Sequence, residues 1–183
     1  MKPGELVVEV GAGAGALTIP LARLGAEVIA VERDPDWVAH LRARACGVAS
    51  HSVRVVEADF LTLRLPERPF RVIGSLPFGV TTEILRRLFD DPRTPLERAD
   101  LIVQWEVARK RAESPPTTLL STAWAPWWEF RLTRRIPAAM FRPVPRVDAG
   151  LLTVTRRSPA LLPPAMTRAY AQFVRARWPF ASD

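Results

Sequence analysis

The apolar run Glu5-Leu6-Val7-Val8-Glu9-Val10 leads directly into Gly11-Ala12-Gly13-Ala14-Gly15, and a helical stretch, Ala16 to Leu24, follows and is stopped by Gly25. This order commits the start of the chain to an α/β arrangement, because glycines after a strand let a ligand approach the backbone at the strand's carboxyl end. The pattern then repeats. Glu27 to Val31 reads as a second strand ending at Glu32, and Asp34-Pro35 caps and starts a helix reaching Ala45. Val53 to Glu57 is a third strand, closed by Ala58-Asp59-Phe60. Phe70 to Gly74 is a fourth, with a helix from Thr82 to Phe89 after it. Asp100 to Gln104 is a fifth, preceded by the proline-rich loop Asp91 to Pro95. Strands alternating with helices specify a mostly parallel sheet with helices on both faces. Pro20, inside the first helix, predicts a lost hydrogen bond or a kink there.

Beyond Glu113 the pattern changes. Ser114-Pro115-Pro116 is a loop, Leu119 to Trp124 a short helix, Trp128 to Ile136 a strand with several polar positions, and Gly150 to Thr155 a last strand. The two strands finish the sheet as an antiparallel pair. The segment from 158 onward begins with Pro159, Pro163 and Pro164 and then reads helical to Trp178. At 183 residues the chain suits one sizeable core. It has no apolar stretch of membrane-spanning length, and its opening Met1-Lys2-Pro3-Gly4 is no signal peptide. One cysteine, Cys46, excludes an internal disulfide and a cysteine-based zinc site, so a reducing cytoplasm fits best. His40, in a helix, and His51, in a loop, make no metal cluster. The net charge of +7 is one-sided: residues 1–100 carry 13 basic against 14 acidic side chains, residues 101–183 carry 13 against 5. Such a basic half is the footprint of a nucleic-acid binder, or simply of an arginine-rich genome.

Pro77 cannot donate to a ladder, so the fourth strand must stop before it. Ser75, Leu76, Pro77 and Phe78 therefore form a rigid loop at the ligand-binding edge of the sheet. It offers a hydroxyl, fixed backbone carbonyls and an aromatic ring, enough to grip a nucleobase by edge and face. The plainer alternative is a strand-to-helix turn with a core phenylalanine.

Glu32 is placed to take ribose hydroxyls, as in a dinucleotide site. However, the glycine spacing is Gly11, Gly13, Gly15 rather than G-x-G-x-x-G, and Glu9 precedes it. A carboxylate there can orient the loop and face an ammonium, whereas it would repel a pyrophosphate. Asp59 can accept from an adenine amino group, with Phe60 beside the ring. Ammonium, ribose and adenine in that order describe S-adenosylmethionine better than a dinucleotide.

Taken with these residues, the chain resembles the rRNA adenine-N6 methyltransferases, most closely the Erm-type enzymes that modify 23S rRNA and confer macrolide resistance. Glu9 to Gly15, Glu32 and Asp59-Phe60 are similar to the family's first three motifs. Leu101 to Arg109 is similar to a later strand–helix signature, and Phe141-Arg-Pro-Val-Pro-Arg-Val-Asp148 to its Phe-x-Pro-x-Pro-x-Val-Asp segment. Trp124-Ala-Pro-Trp-Trp-Glu129 leans toward Erm over the 16S dimethylases. The resemblance implies a Rossmann-like class I S-adenosylmethionine-dependent methyltransferase of the α/β class, with a mostly parallel seven-stranded sheet and an antiparallel final strand. It implies a methyltransferase domain over residues 1–157 and, over 158–183, a remnant of the C-terminal helical domain. The cofactor residues would be Glu9, Gly11, Ala12, Gly13, Gly15, Glu32, Arg33, Asp59, Phe60 and Ser75. The catalytic ledge would be Ser75, Leu76, Pro77 and Phe78, with two acceptors for the adenine amino group at Ser75 and the Leu76 carbonyl, and Phe78 stacking on the flipped base.

The family's catalytic motif usually starts with Asn, and here Ser75 stands in that place. The chain also starts immediately before the first strand, and its C-terminal helical part is short, as in a truncated or minimal member. The expected partner is 23S rRNA, bound by a monomer away from any membrane. Arg109, Lys110, Arg111, Arg134, Arg135 and Arg142 are the candidate phosphate contacts, and the six tryptophans are expected in the core or at interfaces. Two rival readings are an RNA-binding assembly factor without turnover and a methyltransferase of protein side chains.

Overall fold

The computed structural model describes residues 2–46 and 52–178, so His51 lies outside the described residues. Seven strands form one sheet in the order β3-β2-β1-β4-β5-β7-β6. Strands β1 (Leu6–Val10), β2 (Glu27–Glu32), β3 (Val53–Glu57), β4 (Phe70–Ser75) and β5 (Leu96–Gln104) pair in parallel. Strand β7 (Ala149–Arg156) runs antiparallel to both β5 and β6 (Trp128–Ile136). This is the mostly parallel sheet with an antiparallel final strand that the alternation of elements implied.

Side-chain alternation along the strands separates two cores. Val7, Val28 and Ala30 pack with Leu21 and Ala22 of α1 (Thr18–Arg23) and Leu41 of α2 (Pro35–Cys46). On the other face Val8, Val72, Leu101 and Leu152 pack with Leu88 of α3 (Thr81–Phe89), Ala108 of α4 (Trp105–Arg111) and Leu120 of α5 (Leu119–Trp124). Trp124, Trp127 and Trp128 fill the far end of that second core. Their indole N–H groups donate to Asp90, to the Leu162 carbonyl and to the Phe89 carbonyl. The last helix, α6 (Thr167–Arg177), rests on this tryptophan cluster through Tyr170, with Val174 as its one buried residue among those described.

Two sequence expectations change. Pro20 causes no kink, because α1 begins at Thr18 and Pro20 lies in its first turn, where a backbone N–H needs no intrahelical partner. Strand β5 begins at Leu96, four residues before the expected Asp100. In its first half Leu96 and Ala99 enter the core, while Arg98 pairs with Asp100 at 2.7 Å along the same strand. Burial raises the pKa of Asp100, yet hydrogen bonds from Arg98 and Thr153 and the charge of Arg71 outweigh this and hold the carboxyl below the usual carboxylate range.

The parallel strands bring the turns after β1, β2 and β3 and the ledge after β4 to one edge of the sheet. Close approach at that edge depends on Gly74, where a Cβ would come within 2.6 Å of the Val10 carbonyl oxygen on the paired strand.

Candidate active site

Beyond β1 the glycine turn folds back on its own neighbours. The N–H groups of Gly11 and Ala12 donate to the Val31 carbonyl at 3.0 and 3.1 Å, and Gly15 N–H donates to the Ala12 carbonyl at 2.8 Å. Glu32 accepts from Gly13 N–H at 2.9 Å, and also from the N–H groups of Arg33 and Asp34 at 2.7 and 2.9 Å. From the far side the Arg44 guanidinium donates to the Ala14 carbonyl. Four donors that a phosphate-binding loop would aim at its ligand are thus committed within the protein. The carbonyls of Ala12 and Gly15 are committed as well, to the N–H groups of Gly15 and Ile19.

A cavity of about 450 Å³ opens beside this turn. Gly11, Gly13, Glu32, Arg33, Asp59, Phe60 and Ser75 all line it, as do Asp34, Trp37 and Ile84. Ala12 and Gly15 are buried beneath the turn and do not line it. Glu9 differs from the sequence expectation. It is 2% exposed, lies under the turn, and accepts a hydrogen bond from the Thr18 hydroxyl at the start of α1. Its carboxyl therefore ties β1 to the start of α1 and does not line the cavity, because side chains alternate along β1 and position 9 points to the side that α1 covers. Burial pushes its pKa up to about 7; the Thr18 hydrogen bond opposes the shift and the nearby Glu32 charge adds to it.

Asp59 accepts from Leu61 N–H at 2.9 Å, which fixes the turn after β3 and sets the carboxylate on the cavity wall. The wall thus carries Glu32, Asp34 and Asp59 against one cation, Arg33. A cationic, hydrogen-bond-donating ligand with a purine suits this set, and a pyrophosphate does not. The residues present fit S-adenosylmethionine.

A second cavity, of about 290 Å³, lies on the other side of the same ledge. Ser75 and Pro77 line both cavities. Leu76 donates its N–H to the Ile102 carbonyl at 2.9 Å and buries its side chain, while the Pro77 carbonyl takes the Val80 N–H and the Thr81 hydroxyl. These bonds lock the ledge. The glycine turn lies against it, for a Cβ on Gly11 would be 3.7 Å from the Ser75 carbonyl oxygen. Phe78 is 39% exposed and lines only the second cavity, which excludes a core role for it. Phe141, Arg142, Pro143 and Pro145 also line that cavity, and Met140, Val144 and Val147 of the same segment are exposed.

A family model of ribosomal RNA adenine dimethylases matches residues 1–178. The chain belongs to that family. Within the ribosomal RNA adenine dimethylases, it is 40% identical over 168 residues to an rRNA adenine N-6-methyltransferase of Corynebacterium diphtheriae, covering 92% of this chain and 64% of that one. It is 41% identical over 169 residues to the mycinamicin-resistance protein MyrB of Micromonospora griseorubida, covering 92% and 52%. The crystal structure of the 23S rRNA methyltransferase ErmE superposes with a TM-score of 0.84 at 32% identity, over 96% of this chain and 70% of that one. A dimethyladenosine transferase from Plasmodium falciparum, at 20% identity and a TM-score of 0.83, shares the fold. The chain spans about half to two thirds of the length of the relatives it matches by sequence.

The six basic candidates divide. Arg109 pairs with Glu106 and Glu113 at 3.0 and 2.8 Å. Arg135 pairs with Asp148 at 2.8 Å and stacks over Trp105. Arg111 donates to the Thr118 hydroxyl and lies over the Trp124 ring, a packing role. Lys110 and Arg134 are exposed, with no carboxylate partner among the described residues. Arg142 donates to the carbonyls of Ala139 and Phe141 and so holds its guanidinium at the rim of the second cavity.

The sequence reading missed Trp37 and the second-cavity role of Phe141. The signal for Trp37 was its place outside the buried stripe Val38, Leu41, Ala45 of α2.

Proposed function

We propose that this chain transfers a methyl group from S-adenosylmethionine to the exocyclic N6 of an adenine in 23S rRNA, a modification that confers macrolide-type resistance. The observation that carries the reading is the ledge itself: Ser75 and Pro77 wall both an acceptor-lined cavity and an aromatic-lined one. A donor and an acceptor of a methyl group can meet only at such a shared wall.

When bound, the cofactor supplies an electrophilic methyl on a sulfonium. The chain's own residues handle the nucleophile. An adenine amino group is a weak one because its lone pair is delocalised into the ring. The Ser75 oxygen and the Leu76 carbonyl accept its two N–H bonds, draw the nitrogen toward tetrahedral geometry and aim the lone pair along the line to the methyl carbon. Phe78 and Phe141 provide aromatic surface for the flipped base. The proton becomes acidic only after the nitrogen is alkylated, so water suffices to take it, and most acceleration comes from alignment.

RNA phosphates run over Arg142, Arg134 and Lys110. Ser75, Ile102, Leu151 and Arg134 occupy one register row across β4, β5, β7 and β6. Three strand spacings place Arg134 about 14 Å from Ser75, within reach of nucleotides flanking the target. Residues 1–157 act as the methyltransferase domain, and the segment from 158 onward belongs to a C-terminal helical domain. The setting is the cytoplasm and the active species a monomer.

Tritiated S-adenosylmethionine offered with naked 23S rRNA, 16S rRNA and a protein mixture in parallel tests the reading. Label is expected in 23S rRNA at adenine N6. Label in protein alone, or in none of the three, overturns it.

A further inference from the structure

Trp37 is 47% exposed, whereas Trp124, Trp127 and Trp128 are each 2% exposed or less. It stands one residue ahead of the buried stripe of α2, so no core contact accounts for an aromatic of this size there. Its ring meets His40 edge-on, with centroids 6.0 Å apart and planes at 89°, which braces the indole against its own helix. What it borders is the 450 Å³ cavity beside the glycine turn.

The strand order settles which end of that cavity this is. Strands β3, β2, β1 and β4 lie side by side, so the wall runs from Asp59 past Glu32 and the glycines to Ser75, about 14 Å at the usual strand spacing. The Ser75 end adjoins the second cavity, so the methyl-bearing part of a ligand belongs there. The remainder must extend back toward the turns after β2 and β3. Trp37 follows the turn after β2. Phe60 and Ile84 reach the same cavity from the core on the opposite face of the sheet. A flat ring at this end therefore finds apolar surface on both sides, with Glu32 and Asp59 as acceptors at its edges.

We propose that Trp37 is a cofactor-contacting residue, its ring laid against the adenosyl half of S-adenosylmethionine and setting how tightly that half is held. The proposal rests on the cofactor reading above. Because Trp37 is half-exposed and outside both cores, it can be changed without unfolding the chain.

Calorimetric titration of the full chain with S-adenosylhomocysteine and, separately, with adenosine tests the assignment. Trp37→Ala is expected to weaken both ligands by the same factor, about tenfold, the loss expected for one aromatic contact to a purine. Trp37→Phe should keep both affinities within about threefold of wild type, since a smaller ring still covers the base. It should also remove most of the ligand-induced change in tryptophan fluorescence, because none of the other five, Trp105, Trp124, Trp127, Trp128 and Trp178, lines the cavity. If wild type binds S-adenosylhomocysteine and Trp37→Ala binds it equally well, the assignment is overturned and the cofactor reading stands. A loss for S-adenosylhomocysteine with none for adenosine also overturns it, because the contact is then with the amino-acid half. Failure of the wild-type chain to bind S-adenosylhomocysteine overturns both.

Discussion

At the β1–β3 end of the sheet, backbone donors are tied to Val31, Ala12 and Glu32, and the surface left to a ligand is rich in fixed acceptors. At the β5–β7–β6 end the surface is basic, and its cations are of two kinds. Arg109 and Arg135 are neutralised by neighbouring carboxylates, while Lys110 and Arg134 stand in solvent. The difference teaches that a small cationic ligand and a polyanion ask opposite things of a protein. The first is held by acceptors whose orientation is settled before it arrives. The second is held by charges still free to exchange counterions for phosphates. The ledge Ser75–Phe78 is where the two regimes meet.

Phe78→Ala gives the largest expected separation between the two ends. Methyl transfer should fall about a hundredfold through lost base stacking, while calorimetric affinity for S-adenosylhomocysteine stays at the wild-type value. A loss of cofactor affinity instead would make Phe78 part of the cofactor end. Gly74→Ala attacks the seam between the ends. A Cβ at 2.6 Å from a paired carbonyl oxygen cannot be relieved by a side-chain rotation. Guanidinium unfolding should show a loss of about 2 kcal/mol, typical of overpacking, together with weakened cofactor binding.

Glu9→Gln separates orientation from charge. The Glu9 carboxyl binds its proton more tightly in the folded chain than in the unfolded one, with its folded pKa near 7. Its effect on stability is therefore absent at low pH and grows more adverse as pH rises through the interval up to about 7. Glutamine keeps the hydrogen bond with Thr18 and removes the charge. Denaturation at pH 8 should find the variant more stable by about 1–2 kcal/mol, below the limit set by the full pKa difference, and at pH 4 equal to wild type.

Ser75→Asn is expected to raise turnover about fivefold, the worth of one better-placed hydrogen bond. A collapse of activity would mean the second cavity is shaped for a different acceptor. Smallest is the contrast between two arginines. Arg134→Ala should reduce the slope of RNA affinity against log salt by about 0.7, one phosphate contact to a single strand. Arg109→Ala should change it less, because Glu106 and Glu113 already balance its charge.

Much of this architecture was legible because strands and turns are written locally. Apolar runs marked β1 to β4, with Gly11 closing the first and Pro77 marking where β4 ends. The start of β5 was not legible, since Arg98 and Asp100 look like loop residues until Arg71 and Thr153 are brought beside them. Strand β6 carries a register shift between Leu132 and Arg134 that no alternation pattern signals. Within the site, Gly11, Gly13, Glu32, Asp59 and Ser75 fall on the cavity wall as their spacing suggested, whereas Glu9, Ala12 and Gly15 lie beneath it.

The amino-acid sequence alone determined the order of the elements, where β4 stops and its ledge begins, and the family. Those follow from periodicity and from residues whose backbone preferences act within a few positions. Only the tertiary structure decided that four backbone donors of the glycine turn are committed within the protein, that Glu9 points inward, that Trp37 borders the cavity beside that turn, and which arginines remain uncommitted. Each of those outcomes depends on where a side chain or a neighbouring strand comes to rest: Gly13 meets Glu32 from 19 residues away, and such meetings exist only once the sheet has formed.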